Sequence, residues 1–311
     1  MQMQQANGLI NKAKGRPPRT AGSLREAIIR RLLGAAAACS LLFLALIVIF
    51  LCLEGLPAFQ HLPISEFFLG MDWYPTSEPA EFGIFPLIAG SAVVTLLASA
   101  LAIPLGVMTA VWLTEIAPSS LRRICKPFIE LLAAIPSVVI GLFGMVVIAP
   151  ILQNYFGADT GLNLLNAGLM LAFMSVPTIC SVSEDSLYAV PPALREASLA
   201  LGATRWQTTW RVVLPAAFSG IGTACMLGMS RSIGETMVVL MVAGGAGIIP
   251  ISIFDPVRPM PAAIAAEIAE APFQGEHYYV LFAIGIVLFA FTMLFNIIAQ
   301  HITENNKRVA D

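Results

Sequence analysis

Six stretches of this 311-residue chain are apolar over the length that a helix needs to cross a lipid bilayer, about 20 residues. They lie near residues 33–55, 84–113, 128–152, 163–181, 217–246 and 278–300. The bilayer core offers no water to backbone polar groups, so apolar stretches of this kind must be helical. The sequence therefore predicts an all-α integral membrane protein with six transmembrane helices.

Composition supports the same class. The chain is 58% hydrophobic and 12% charged, whereas soluble domains carry about 25% charged residues. The five cysteines stand singly, so we expect neither a disulfide framework nor a metal site; they are Cys39, Cys52, Cys125, Cys180 and Cys225. The three histidines fall in or beside predicted loops, without a nucleophile or metal-ligand spacing near them, so an enzyme is not expected; they are His61, His277 and His301.

Lysine and arginine are distributed asymmetrically along the chain. Seven precede the first predicted span, Arg122, Arg123 and Lys126 separate the second from the third, and two follow the last span. Under the positive-inside rule this pattern places both termini and the loop 183–215 in the cytoplasm, with Arg258 alone outside. The sequence therefore predicts a multi-pass protein with both termini cytoplasmic.

The same pattern divides the chain into a cytoplasmic tail over 1–32, a membrane domain over 33–300 and a cytoplasmic tail over 301–311. Residues 1–23 have the composition of a disordered segment. Leu24–Leu33 is interpreted either as a basic amphipathic helix on the membrane surface or as a charged stretch that only sets topology. No A-x-A site follows the first apolar run, so we expect a retained anchor.

Two segments are predicted to lie outside the membrane. Residues 54–82 carry five acidic residues, no lysine or arginine and four prolines, which predicts an irregular loop. In the second segment, 250–277, the composition of Ala262–Ala271 favours a short helix lying across the external mouth. This helix is interpreted either as a gate or partner-docking element or as a plain connector.

Two charged residues, Arg231 and Glu235, lie inside the fifth predicted span. On a continuous helix their spacing of four places both on one face, within pairing distance. A charge at mid-bilayer costs at least about 2.5–3.5 kcal/mol on insertion scales, so each needs a partner or water. Two roles stay open: an internal ion pair that orders the bundle, and contact between the Arg231 guanidinium and an anionic substrate, with Glu235 restraining its affinity.

The polar stretch between the fourth and fifth spans carries a recognisable pattern. Residues Glu196–Pro215 read EASLALGATRWQTTWRVVLP, which resembles the EAA loop of ABC importer permeases, EAA-x3-G-x9-I-x-LP. The resemblance implies a short coupling helix that docks on an ATPase subunit, and Gly202 is expected to permit a tight turn. The matched positions are Glu196, Ala197, Ser198, Gly202, Leu214 and Pro215. For Arg195 and Arg205 we expect side chains that face water; the alternative is that they pair with acidic residues on the ATPase.

Two further segments narrow the family. RSIGETMVVLMVAG, from Arg231, and ELLAAIPSVVIGLFG, from Glu130, resemble segments of the phosphate-specific (Pst) importer permeases, C-type subunit. The resemblance covers about residues 82–300, with Ser198, Val212 and Ser232 departing from the usual residues. It implies a type I ABC importer permease bundle that translocates inorganic phosphate across the bacterial cytoplasmic (inner) membrane. It also implies a substrate pathway that includes Arg231, Glu235, Thr236 and Ser137.

The resemblance implies partners as well. We expect two copies of an ATP-binding subunit, a second (A-type) permease as heterodimer, an extracytoplasmic phosphate-binding protein and no nucleic acid. ATP and magnesium are expected on the ATPase, because this chain has no G-x4-GK[ST] motif. The alternatives are an ABC permease for molybdate, tungstate or sulfate, a secondary transporter or channel, and a membrane sensor of phosphate.

Overall fold

A computed structural model describes residues 20–60 and 62–310, with side chains described for 26–60, 62–298, 300 and 301. The chain divides into two units, Met1–Phe50 and Leu51–Asp311. Within the first unit, residues 20–50 belong to helix α1, Thr20–Gly55. The predicted disorder is therefore wrong for 20–23, and for 1–19 it lies outside the described residues. Leu24–Leu33 forms no helix of its own, because α1 runs through it without a break.

Over its described residues, the second unit is mainly helical and contains one small hairpin. After the end of α1, its helices are α2 (Ile64–Leu69), α3 (Phe85–Val111), α4 (Ser119–Ala133), α5 (Ser137–Phe143), α6 (Ala149–Phe156), α7 (Leu164–Tyr188), α8 (Pro192–Ala200), α9 (Arg205–Thr208), α10 (Leu214–Ile233), α11 (Met237–Val242), α12 (Met260–Glu267) and α13 (Glu276–Ala310). Short π-helical turns follow α3, α5 and α9, at Trp112–Ile116, Gly144–Ile148 and Thr209–Val213. Strands β1 (Trp73–Tyr74) and β2 (Glu81–Phe82) pair antiparallel.

Six helical segments of the described residues are long and apolar enough to cross a membrane, which confirms the predicted number. They are Glu26–Gln60, Phe85–Ile116, Ser137–Phe156, Leu164–Tyr188, Arg205–Ile233 and Glu276–Ile298. The predicted start of the third span is wrong: residues 128–133 belong to α4, a separate amphipathic helix without a buried residue. Pro136 causes the interruption, because the residue before a proline disfavours the helical conformation.

Other predicted boundaries also change. The loop predicted at 183–215 is shorter, because α7 continues to Tyr188 and α10 begins at Leu214. Helix α13 runs on through Ala310, so the predicted C-terminal tail is helical over the described residues. The irregular loop predicted at 54–82 instead contains helix α2 and the hairpin, whose Trp73 is buried against Phe82 and His277.

Helices α3, α7 and α10 pack together at the centre of the second unit. Small residues allow this close approach. A Cβ added at Gly106 of α3 would lie 2.8 Å from Ile179 Cβ of α7, and one at Gly228 of α10 would lie 2.5 Å from Ile179 Cγ1. Dispersion between closely packed backbones is the main attraction between helices in lipid, so these glycines set the core of the bundle.

Gly106→Ala should lower the melting temperature of the detergent-solubilised protein, because the added methyl overlaps Ile179 and overpacking costs about 1–3 kcal/mol. Gly34→Ala is the matched control, since nothing lies within 4 Å of a Cβ added there. Thermal unfolding followed by intrinsic fluorescence measures both. Equal melting temperatures for the two variants would contradict the packing described.

Candidate functional site

The fifth span ends at Ile233, whereas the sequence predicted one that continues to residue 246. Helix α10 ends at Ile233, and α11 begins only at Met237. Residues Gly234–Thr236 between them are not helical, so the predicted span over 217–246 is wrong in this part. The amide of Gly234 still donates to Ser230 O at 3.3 Å, and that of Leu240 to Thr236 O at 3.0 Å. On each side of the break, therefore, a backbone amide is satisfied by a carbonyl of the protein itself.

This break separates the two charged residues. Arg231 lies in the last turn of α10, is half-buried, and donates from Nη1 to Thr178 Oγ1 of α7 at 3.3 Å. One of the two roles left open by the sequence, an internal ion pair between Arg231 and Glu235, is not seen among the described residues, because the helix that would align the two side chains ends between them. No other hydrogen bond of the Arg231 guanidinium occurs within the described part of the chain, which leaves most of its donors for a ligand or water.

Glu235 has a local role instead. Its Oε1 accepts from the amide of Val238 at 3.3 Å, in the first turn of α11. A carboxylate at this position satisfies one of the free amides at a helix start and interacts favourably with the helix dipole. Thr236 is half-buried beside it, and its Oγ1 lies 3.5 Å from Gly234 O. The three residues predicted from this segment thus lie around one helix break.

Ser137 begins helix α5, directly after the break at Pro136. Helix α5 packs against α11, and a Cβ added at its Gly141 would lie 2.7 Å from Met241 Sδ. The fold therefore brings the helix that carries Ser137 against the helix that follows Glu235 and Thr236. The hydroxyl of Ser137 has no hydrogen bond to the described residues, so its role in the pathway stays a prediction.

The coupling segment, Pro192–Thr208, is a short helix, a turn and a second short helix. Gly202 forms the turn with φ +84°, a conformation that favours glycine, as predicted. Thr204 and Gln207 then form a capping box at the start of α9. Ser198 Oγ lies 2.9 Å from Thr208 Oγ1, which ties α8 to α9. Glu196 and Ala197 are exposed, Leu214 is half-buried and Pro215 is exposed.

Arg195 is a structural clamp, which corrects the prediction that it faces water. Its Nη1 donates to Val190 O at 2.7 Å, and its Nη2 donates to Leu187 O at 2.8 Å and to Glu115 Oε1 at 2.9 Å. These contacts join α8 to the end of α7 and to the π-helical turn after α3. Arg205, by contrast, is exposed as predicted. In the sequence, only Glu115, a single acidic residue at the end of the second span, pointed to this contact.

A second polar cluster lies at the other end of the bundle. Its centre is Glu267 at the end of α12, which accepts from Trp73 Nε1 at 3.0 Å and lies 2.9 Å from His277 Nε2. Arg258 donates to the same carboxylate and, from Nε, to Gly245 O at 2.6 Å. The Glu267 cluster (Trp73, Arg258, Glu267 and His277) thus joins the hairpin, α12 and the start of α13. Helix α12, Met260–Glu267, confirms a short helix in this segment; it begins two residues before the predicted Ala262–Ala271 and ends four residues earlier.

The surroundings of Glu267 set its proton affinity. Burial alone would raise its pKa, but hydrogen bonds from His277 and Trp73 and the positive charge of Arg258 outweigh that effect. The pKa of Glu267 is therefore lowered below its ordinary value of 4.5. The carboxylate stays ionised at neutral pH and holds its three partners. Within the described residues, no group of His, Cys, Asp and Glu side chains is arranged to hold a metal ion.

The known proteins to which this chain is similar are membrane components of transport systems. Residues 102–308 match the family model of the binding-protein-dependent transport system inner membrane component. A relative from Bacillus subtilis, "Probable ABC transporter permease protein YqgH", is 38% identical over 87% of this chain and 89% of its own. The "Phosphate transport system permease protein PstC" of Mesorhizobium japonicum is 35% identical over 90% of both chains. Its counterpart from Pasteurella multocida is 37% identical over 71% of this chain and 74% of its own.

Solved structures show the same fold. A chain of the bacterial alginate ABC transporter, crystallised with its pentasaccharide-bound periplasmic protein, superposes with a TM-score of 0.63 at 17% identity. The match covers 93% of this chain and 98% of that one. A chain of the inward-facing MetNI methionine ABC transporter gives 0.54 at 21% identity, over 72% and 94%. These similarities concern the fold alone.

Arg195→Ala should loosen the coupling segment, because Glu115 and two backbone carbonyls lose their donor; each unsatisfied half-buried group costs about 1–3 kcal/mol. Hydrogen exchange of the amides in Pro192–Thr208 should become faster. Arg195→Lys is the control that keeps the charge but cannot make all three bonds, and it should lie between wild type and Arg195→Ala. Unchanged exchange in Arg195→Ala would contradict the clamp.

Glu267→Gln should destabilise the protein in a pH-dependent manner. Since the folded-state pKa of Glu267 is lowered, its contribution to stability is fully present above about pH 4.5 and is lost as the pH falls through the folded pKa. The melting temperature of Glu267→Gln should lie below that of wild type at pH 7, and the gap should close below pH 4.5. A gap that is the same at pH 7 and pH 4 would contradict this account.

Proposed function

Because the chain belongs to the family of binding-protein-dependent transport system inner membrane components, we propose that it is the C-type permease subunit of an ATP-driven phosphate importer. It forms half of the translocation pathway across the bacterial cytoplasmic membrane and takes no part in ATP chemistry. Several relatives at 33–37% identity are named phosphate transport permeases and match most of the chain, which supports phosphate over the other oxyanions.

The proposal rests on the position and the contacts of the Arg231 guanidinium. Its guanidinium lies within a membrane span with Thr178 as its one partner among the described residues. A cation in this position is costly unless water or an anion reaches it. The planar donors of a guanidinium match two oxygens of a phosphate, so an anion passing the break at Gly234–Thr236 is a fitting partner.

The neighbouring residues then have distinct roles. Thr178 holds the guanidinium from α7, and Glu235 stays with the first turn of α11 instead of neutralising Arg231. Because Glu235 is a nearby negative charge, it limits the affinity for phosphate and favours release. Thr236 and Ser137 contribute hydroxyls on either side of the pathway.

The coupling segment is the surface for the ATPase. Besides Glu196 and Ala197, it presents Leu201, which is 90% exposed, and the exposed Trp206. Trp210, just after the segment, is also exposed and lies edge-to-face with Trp206, with the ring centroids 5.4 Å apart. Exposed apolar side chains on a polar segment are typical of a protein interface. ATP and magnesium are bound by two copies of that ATPase, and an A-type permease completes the pathway as heterodimer. A soluble phosphate-binding protein docks at the outer end, and both termini lie in the cytoplasm.

Labelled-phosphate uptake at low micromolar supply tests the function directly, in cells that lack this chain, with and without its restoration. Uptake should return with the chain and should be blocked by arsenate but not by sulfate or molybdate. Uptake that molybdate or sulfate blocks would instead favour a permease for that oxyanion. If the expressed and assembled chain restores no uptake, the phosphate proposal fails.

Arg231→Ala should reduce phosphate uptake to background while the complex still assembles, because the guanidinium proposed to contact the anion is removed. Arg231→Lys should retain a small part of the uptake, since it keeps the charge without the planar pair of donors. Uptake and co-purification of the ATPase are measured on the same membranes. Normal uptake by assembled Arg231→Ala complexes would show that Arg231 does not contact the anion.

A further inference from the structure

The outer end contains a cavity of about 990 Å³. The hairpin forms one side, the residues after α11 form another, and the end of α12 and the start of α13 form the rest. The amides of Leu164 and Leu165 at the start of α7 donate to Asp255 O and Ile253 O at 3.0 and 2.8 Å, which fixes the long connection beside it. The cavity is therefore bounded by segments that hydrogen bonds hold in place.

The wall of the cavity is apolar and its rim is acidic. Tyr74, Pro75 and Ile248 line it, with Tyr74 53% exposed, so an aromatic face is accessible from the cavity. Glu270 and Glu276 lie at its rim, both exposed and without an ion pair among the described residues. Arg258 also lines the cavity, but its charge is balanced by Glu267. The cavity therefore carries a net negative charge.

The segments around the cavity are negatively charged as well. In the three segments 61–84, 157–163 and 245–277 at this end, nine acidic residues accompany one arginine: Glu66, Asp72, Glu78, Glu81, Asp159, Asp255, Glu267, Glu270 and Glu276, with Arg258. A phosphate ion approaching from solution is repelled by this field over about the Debye length of 8 Å. The cavity is thus unsuited to the transported anion and suited to a cation.

We propose that the cavity binds a lysine or arginine side chain of the soluble phosphate-binding protein and anchors it on this permease. This inference rests on the proposed function, because it requires such a partner. The aliphatic stem lies along the wall formed by Pro75 and Ile248, and the charged head reaches Glu270 and Glu276. The face of Tyr74 adds a cation–π contact. Long cationic side chains alone combine these two requirements.

The test uses the complete importer in nanodiscs and its phosphate-loaded binding protein. Glu270→Gln combined with Glu276→Gln should raise the Kd of the binding protein roughly tenfold or more and weaken its dependence on salt. Glu66→Gln combined with Asp159→Asn is the matched control: it removes the same charge at exposed positions outside the cavity, and it should change Kd less than twofold. Stimulation of ATP hydrolysis is measured in parallel.

Each result has a distinct meaning. If the cavity variant binds as tightly as wild type, or if the control weakens binding equally, the anchoring role of the cavity is overturned while the transport proposal stands. If the binding protein fails to bind and stimulate even the wild-type importer, the proposed function fails as well. A Glu270→Cys variant that crosslinks to the second permease without the binding protein would also overturn the proposal, because the cavity would already be occupied.

Discussion

The bilayer offers no hydrogen-bond partner to a backbone group or a charge, and most features of this structure follow from that constraint. It requires long helices, and it makes each interruption of a helix costly unless the protein satisfies the freed groups. At Gly234–Thr236 neighbouring carbonyls and the Glu235 carboxylate do so. The break directly follows the fifth span, and Arg231, in the last turn before it, is bonded only to a hydroxyl among the described residues.

The two ends of the bundle use charge differently. At the end that carries the coupling segment, Arg195 joins α8 to the end of α7 and to the π-helical turn after α3 through hydrogen bonds of 2.7–2.9 Å. At the opposite end Glu267 fixes the hairpin and α12 in a similar manner. Helix α7 reaches from the first region to Thr178, which contacts Arg231. Hydrogen-bonded groups on α7 thus lie between the coupling segment and Arg231.

Much of this structure could be predicted from the sequence, because hydropathy and motif spacing depend on residues that are close together in the chain. The six spans, the turn at Gly202 and the short helix α12 all follow from runs of neighbouring residues. The misjudged features depend on a break in a helix or on partners that are far away in the sequence. The spacing of four implied an Arg231–Glu235 pair only if the helix continued, and the Glu115–Arg195 contact joins residues 80 positions apart. Likewise, Trp73 and Glu267 meet only after the chain has crossed the membrane several times.

The central claim is that Arg231 and Glu235 act separately, one facing the anion and the other capping α11. A charge exchange tests it most directly: phosphate uptake is measured for Arg231→Glu, for Glu235→Arg and for the double variant that carries both. If the residues act separately, the double variant stays as inactive as Arg231→Glu alone. Recovery of uptake in the double variant would show that they form a functional ion pair, which would contradict the account.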